Sequence, residues 1–254
     1  MAGSRVRAPW MLLLALALPA LPHVARADPN DYVLTMDYTG GQREIETKVG
    51  GATSARNGTA AGEAAALAYG QGVSDAWFSE VYIQFANSRL GAQGGGLEAL
   101  SWENVIRFSE PGQWPIDVGA TVEVEKPRAG SQGWKVSAGP LLQKDFDQIQ
   151  VNANLLLARS FNAGEGELTQ LSYQFQMRYR SDPRLDFGMQ ALGDMGAWNH
   201  WGRPGGQAHR LGPAIFGGQH LGAGRSLEYN VALLMGVSRA AADATLRAQV
   251  DVEF

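Results

Sequence analysis

TLRAQVDVEF, residues Thr245 to Phe254, is the stretch that decides the fold. Leu246, Ala248, Val250, Val252 and Phe254 fall on one parity, and Thr245, Arg247, Gln249, Asp251 and Glu253 on the other. A β-strand shows successive side chains to opposite sides, so one face here is wholly apolar and the other polar or charged. A soluble sandwich can give the same alternation, so the argument must come from its repetition along the chain.

Working backward, the alternation recurs. Leu171, Tyr173, Phe175, Met177 and Tyr179 oppose Gln170, Ser172, Gln174, Gln176, Arg178 and Arg180. Ile116, Val118, Ala120, Val122 and Val124 oppose Asp117, Thr121, Glu123 and Glu125. Leu100, Trp102, Ile106 and Phe108 oppose Ser101, Glu103 and Arg107, and Trp77, Val81, Ile83 and Phe85 oppose Glu80, Tyr82 and Gln84. Between such segments lie turn residues: a Gly70–Ala76 connection, SEPGQWP at Ser109–Pro115, KDFD at Lys144–Asp147, SDP at Ser181–Pro183 and GAG at Gly222–Gly224. Gly193–Ala208, which carries Trp198, His200 and Trp201, is expected to be the longest loop.

The N-terminus has the anatomy of an export signal. Arg5 and Arg7 precede the apolar run Pro9–Leu21, and Ala25-Arg26-Ala27 is an A-x-A cleavage signature, making Asp28 the expected mature start. The run falls short of the about 20 residues that a spanning helix needs. The whole chain has 21 basic and 25 acidic side chains and a net charge of −4; losing Arg5, Arg7 and Arg26 with the leader takes it to about −7. No basic stripe marks a nucleic-acid partner. With no cysteine, neither a lipoprotein anchor nor a disulfide framework is available.

Two features favour a closed antiparallel transmembrane β-barrel over a soluble sandwich or a lipocalin-like cup. The polar parity is rich in Gln, Asn, Ser, Glu and Arg and poor in Lys, as suits a crowded lumen. The apolar parity carries Tyr69, Trp77, Trp114, Trp134 and Tyr179 where aromatic girdles would sit. Short turns also alternate with longer loops, the pattern of barrels with tight periplasmic turns. Twelve strands are expected between Glu44 and Phe254, giving a signal peptide at 1–27, an extended N-terminal segment at 28–41 and the barrel at 42–254. Tyr32, Leu34, Met36 and Tyr38 also alternate and would make thirteen; bacterial single-chain barrels normally have an even number, so this segment is expected at the rim or in the lumen.

Together the leader, the alternating strands and the terminal Phe254 resemble Gram-negative outer-membrane β-barrel proteins. LSWENVIRF (100–108), GPLLQKDF (139–146) and TLRAQVDVEF are similar to a small family of barrels akin to the outer-membrane proteins associated with phenol degradation. The resemblance implies placement in the bacterial outer membrane, contact with lipid and lipopolysaccharide, and delivery by the barrel-assembly machinery, with Phe254 as part of its recognition signal.

Enzyme chemistry finds little support. Outer-membrane lipid hydrolases place His and Ser two residues apart on one strand face, whereas His209 is followed by Arg-Leu and His220 by Leu-Gly. His209 and His220 are eleven residues apart, about 36 Å along a strand, and cannot share an ion. His200, between two tryptophan neighbours, reads as an exposed loop side chain, and Gly164-Glu165-Gly166 lacks the Lys-Ser/Thr of a phosphate loop. No metal, cofactor or catalytic set is assigned. The remaining clue is the inner face. Glu80, Glu103, Asp117, Glu123, Glu125, Glu228, Asp251 and Glu253 share it with Arg107, Lys135, Arg178, Arg180 and Arg247. These would form either a mildly cation-favouring constriction or a paired network filling the lumen. Three functions follow: a narrow monomeric channel for small polar or cationic solutes; a non-conducting barrel whose outer loops (Trp198, Trp201, Gly94–Gly96) bind a partner or lipopolysaccharide; and an envelope hydrolase.

Overall fold

The computed structural model describes residues 31–58, 61–88, 96–163, 168–182 and 184–254. The leader, the Ala27 cleavage site and Gly164–Gly166 lie outside these residues, as do Gly94 and Gly95.

The chain forms one antiparallel sheet. Its strands are β1 (Arg43–Ala52), β2 (Gly62–Ser74), β3 (Trp77–Ser88), β4 (Gly96–Arg107), β5 (Asp117–Pro127), β6 (Trp134–Phe146) and β7 (Ile149–Phe161). They continue as β8 (Gln170–Tyr179), β9 (Asp186–Ala197), β10 (His200–Trp201), β11 (Ala208–Gly222), β12 (Arg225–Gly236) and β13 (Ala244–Glu253). Twelve of these close the barrel. The two-residue β10 only folds back onto β9, which itself pairs with both β8 and β11. Closure is made by β1 against β13, in register from Glu44↔Glu253 to Ala52↔Thr245, so the twelve-stranded wall has no open edge.

The closing strand shows why the sheet rolls this way round. Leu246 is 57% exposed on the outer wall, while its neighbours Thr245 and Arg247 are 0% and 1% exposed inside. Ile45, Leu67, Val81, Trp102, Val122, Leu155, Phe187 and Leu233 continue this apolar outer band around the barrel. In water such a surface would be ruinously costly; facing acyl chains it is the only surface that works.

The two ends of the barrel differ. At the end holding both Arg43 and Phe254, β2–β3, β6–β7 and β11–β12 are joined by two residues each: Asp75-Ala76, Asp147-Gln148 and Ala223-Gly224. Asp147 and Ala223 take left-handed backbone (φ 54° in each), which lets the strands reverse so sharply. The opposite end carries residues 53–58, the connections 128–133 and 237–243 and the β10 hairpin. We call these the turn end and the loop end.

Two connections are shorter than the sequence suggests. Gly70–Ala76 is not a loop: β2 runs to Ser74, and its glycines are there for room. A Cβ on Gly70 would strike the Phe78 ring, and one on Gly72 would strike the Thr39 carbonyl. Likewise half of Gly193–Ala208 is strand, since β9 runs on to Ala197 and His200–Trp201 pairs back onto it. A side chain on Gly193 would collide with Tyr173 and His209, and Gly196 (φ 86°) accompanies a bulge between Leu171 and Ser172.

Residues 31–42 form no strand of the wall. They run down the inside of the barrel, from Asp31 in the loop-end half to the Thr39–Gln42 turn at the other rim. Val33 joins a buried cluster with Leu192, Phe216 and Leu234, and Met36 and Tyr38 join another with Phe78, Val105 and Leu141. The inner face is therefore not uniformly polar. Its apolar exceptions form seats for this segment, and burial of Val33 and Met36 contributes roughly 1.5–3 kcal/mol each.

Candidate functional site

Register converts the strand pattern into rings of side chains. One row of directly paired, inward-facing positions runs Glu253 (β13), Glu44 (β1), Gly70 (β2), Glu80 (β3), Glu103 (β4) and Glu123 (β5). The next row toward the loop end runs Glu228 (β12), Asp251, Glu46, Ala68, Tyr82, Ser101, Glu125 and Lys135 (β6). Nine carboxylates thus line one side of the lumen. Like charges placed opposite one another across strands destabilise a sheet, so this arc is retained against a folding cost.

The other side is built mainly of amides. An amide chain crosses four strands: Asn152 donates to Gln143 at 2.7 Å, Gln176 to Asn152 at 3.5 Å and Gln190 to Gln176 at 2.5 Å. Arg247 caps it by donating to the Gln190 side-chain oxygen. The middle of the N-terminal segment is held largely by this amide side. Leu34 N–H donates to Gln174 (2.9 Å), Asn154 donates to Leu34 C=O (2.9 Å), and Gln143 and Gln150 donate to the Asp37 carboxylate.

Two of the arginines that sequence reasoning places on the inner face, Arg107 and Arg247, hold this segment. Arg107 donates to the carbonyls of Met36, Tyr38 and Asp75, and Arg247 to that of Asp31 while covering the Tyr32 ring at 4.5 Å. Arg210, which the sequence reading passed over, pairs with Asp31 at 2.9 Å. Arg178 pairs with buried Asp186 at 2.9 Å, and Arg180 sits beyond the end of β8 at the rim, 2.8 Å from Asp145. Asp117 accepts from Gly112 N–H at 2.8 Å and so ties down the 108–116 turn. Of these arginines, Arg178 also lines the turn-end cavity together with Glu228 of the arc.

Two cavities lie in the lumen among the described residues. The loop-end cavity, about 360 Å³, is lined by Glu103, Glu123, Glu125, Thr121 and Lys135 among others. The turn-end cavity, about 140 Å³, is lined by Glu44, Glu46, Glu80, Glu228 and Asp251 among others. Both share Tyr32, Leu34, Lys48, Tyr82 and Glu103, which form the septum between them. There Lys48 Nζ is 2.6 Å from Glu46 and 2.8 Å from the Tyr82 hydroxyl, with the rings of Tyr82 and Tyr32 at 4.3 and 5.3 Å. Lys48 and Glu46 were missed in sequence because β1 is short in apolar residues. Parity would have found them, since Glu44, Glu46 and Lys48 alternate with Ile45, Thr47 and Val49.

Outside, Tyr69, Trp77, Trp114, Trp134 and Tyr179 are all exposed. Trp77, Trp114 and Tyr179 stand at the turn end and Trp134 at the loop end, whereas Tyr69 lies five residues inside β2. Trp77 and Trp102 spend their indole N–H on outward Asn104 and Ser79, at 3.0 and 2.8 Å. His209 also faces outward: its ring nitrogens meet the Tyr173 hydroxyl at 3.2 Å and the Gln207 carbonyl at 2.9 Å, with no serine hydroxyl on the ring.

No protein-family model matches the chain, and no curated protein sequence does either. Solved structures do. The COG4313 outer membrane channel from Pseudomonas putida F1 superposes with a TM-score of 0.57 at 14% identity, covering 90% of this chain and 100% of that one. The translocator domain of the autotransporter NalP from Neisseria meningitidis gives 0.53 at 13%, covering 86% and 90%. The transport unit of AIDA-I from Escherichia coli gives 0.50 at 8%, covering 89% and 93%. At these identities the likeness establishes the fold, a closed twelve-stranded antiparallel barrel of the outer-membrane type.

Proposed function

We propose that the protein sits in the bacterial outer membrane and passes small cationic or polar solutes along the acidic side of its lumen. One observation carries this reading. The nine carboxylates of the arc all line the two cavities, while residues 34–37 are held mainly by the amide side. A low-dielectric wall focuses the field of such an arc onto the passage, raising the local concentration of cations and repelling anions. The channel described in the Pseudomonas putida structure has the same fold, which agrees with this use of the barrel. The narrower likeness to barrels associated with phenol degradation brings no solute of its own.

The deciding measurement is planar-bilayer recording of the purified, refolded mature chain. In a KCl gradient the reversal potential should take the sign of cation selectivity. Absence of any reproducible current would end the channel reading.

A second reading is favoured by the septum itself, which separates the two cavities. A barrel shut there would serve as a binding platform, with Trp198 and Trp201, 55% and 60% exposed on the β10 hairpin, offered to lipopolysaccharide. Zero current, combined with lipopolysaccharide binding that is lost in Trp198→Ala/Trp201→Ala, would favour it.

A further inference from the structure

The septum has the composition of a receptor for an organic cation, and the cation in it is the protein's own. The Lys48 ammonium lies against two tyrosine rings, a carboxylate and a phenol oxygen. Rings supply their electron-rich faces and carboxylates supply charge, and both gain strength where water is excluded. The acceptors exceed what one lysine can use. An ammonium has three donors, whereas Glu46 on its own strand and Glu80, Glu103 and Glu123 on β3, β4 and β5 line the same two cavities. Glu80, 4% exposed, takes a hydrogen bond from Tyr82 at 2.5 Å on one oxygen, and its other oxygen is buried with no partner among the described residues. The hydroxyl of Thr121, buried in the wall of the loop-end cavity, is likewise unpartnered.

We propose that the septum is a binding site for small primary amines in their ammonium form, and that Lys48 is a tethered occupant which the incoming solute displaces. The exchange keeps the charge of the cage constant. Lysine suits the role because its charge rides on a flexible four-carbon stem, so it can leave without disturbing the wall. A metal ion is the poorer fit. The carboxylates are spread along cross-strand rows rather than converging, and among the described residues no group of three or more His, Cys, Asp or Glu is placed to hold an ion. Aromatic faces suit an alkylammonium rather than a hydrated divalent cation. This inference rests on the proposed function in one respect: the septum must be reachable from the lumen.

The test is isothermal titration of putrescine into the full mature barrel in detergent micelles, with 1,4-butanediol as the uncharged control, alongside bilayer recordings with both compounds. Lys48→Met empties the cage and nearly keeps the stem's shape. It should bind putrescine at least about tenfold more tightly than the unaltered protein, and Lys48→Arg should show no such gain. Adding Tyr82→Leu to Lys48→Met should remove it. If Lys48→Met does not fold, Glu46→Gln/Lys48→Met restores the charge balance and carries the same expectation. Equal putrescine affinity with and without Lys48, or equal binding of butanediol, overturns the site. Tighter binding without any current supports the site and ends the conduction reading, so the two fail separately.

Discussion

Arg210 Nη2 on β11 lies 2.9 Å from Asp31 Oδ2, an ion pair that joins the start of the described chain to a strand 179 residues later. The Arg210 side chain is 2% exposed and that of Asp31 43%, so the pair sits where the lumen opens. Removing a buried partner leaves an uncompensated charge, at about 3–5 kcal/mol when both are fully buried and less here because Asp31 reaches solvent. Arg210→Ala should therefore loosen the N-terminal segment without unfolding the wall. The expected outcome is a larger or noisier single-channel current, and faster proteolysis ahead of Gly41 in the folded protein. Unchanged current and unchanged proteolysis would show that the other clamps suffice.

The facing of the wall can be tested by charge. Val122 and Phe175 are 40% and 38% exposed on the outer surface, near the middle of β5 and β8. Arginine at either position should cost about 2–4 kcal/mol if it meets mid-bilayer lipid. Gln174 is a poor luminal control because it accepts from Leu34 N–H. Gln84, which lines the loop-end cavity and donates to Ser101, is a better one. Urea unfolding in lipid vesicles should show Val122→Arg and Phe175→Arg clearly destabilised and Gln84→Arg nearly neutral.

Why was the wall legible and the lumen only partly so? A strand repeats every two residues, so Leu246 against Arg247 or Phe175 against Gln176 states its own facing. Pairing rows need strand register, and register depends on turn lengths that a glycine can disguise. Gly70 and Gly72 read as loop because glycine commonly breaks strands, yet they are gaps for Phe78 and Thr39. Without that correction Glu44 and Glu80 do not fall in one row. The inward apolar residues Leu141, Leu192 and Leu234 had the same fate. Along their strands they look like irregularities, and they make sense only once Val33 and Met36 are laid upon them.

Phe254 presents a prediction about assembly rather than stability. Its N–H donates to Arg43 C=O at 2.8 Å, adding one bond to the closing seam, while its ring is exposed at the turn end. A ring that packs on little contributes little to the finished barrel. Phe254→Ala should therefore refold in detergent as well as the unaltered chain, judged by heat-modifiable gel migration. In cells the same variant should yield markedly less folded barrel, as expected if the ring is read by the assembly machinery. Equal yields in cells would remove that role.

The acidic arc gives the last prediction. Glu103 belongs to both cavities, and Glu123 pairs beside it across β4 and β5. If the arc sets selectivity, Glu103→Gln/Glu123→Gln should move the KCl reversal potential toward zero. Screening should do the same to the unaltered protein as ionic strength rises, because the Debye length falls from about 10 Å at 0.1 M to about 3 Å at 1 M. Relieving repulsion between neighbouring carboxylates should also leave the double variant at least as stable as its parent. Asp117→Asn serves as the contrast: Asp117 is buried against Gly112 N–H at the turn end, and its loss should loosen the 108–116 turn while leaving the reversal potential unchanged. Should the glutamine pair leave selectivity intact, the carboxylates would be structural filling and the passage, if open, would lie elsewhere.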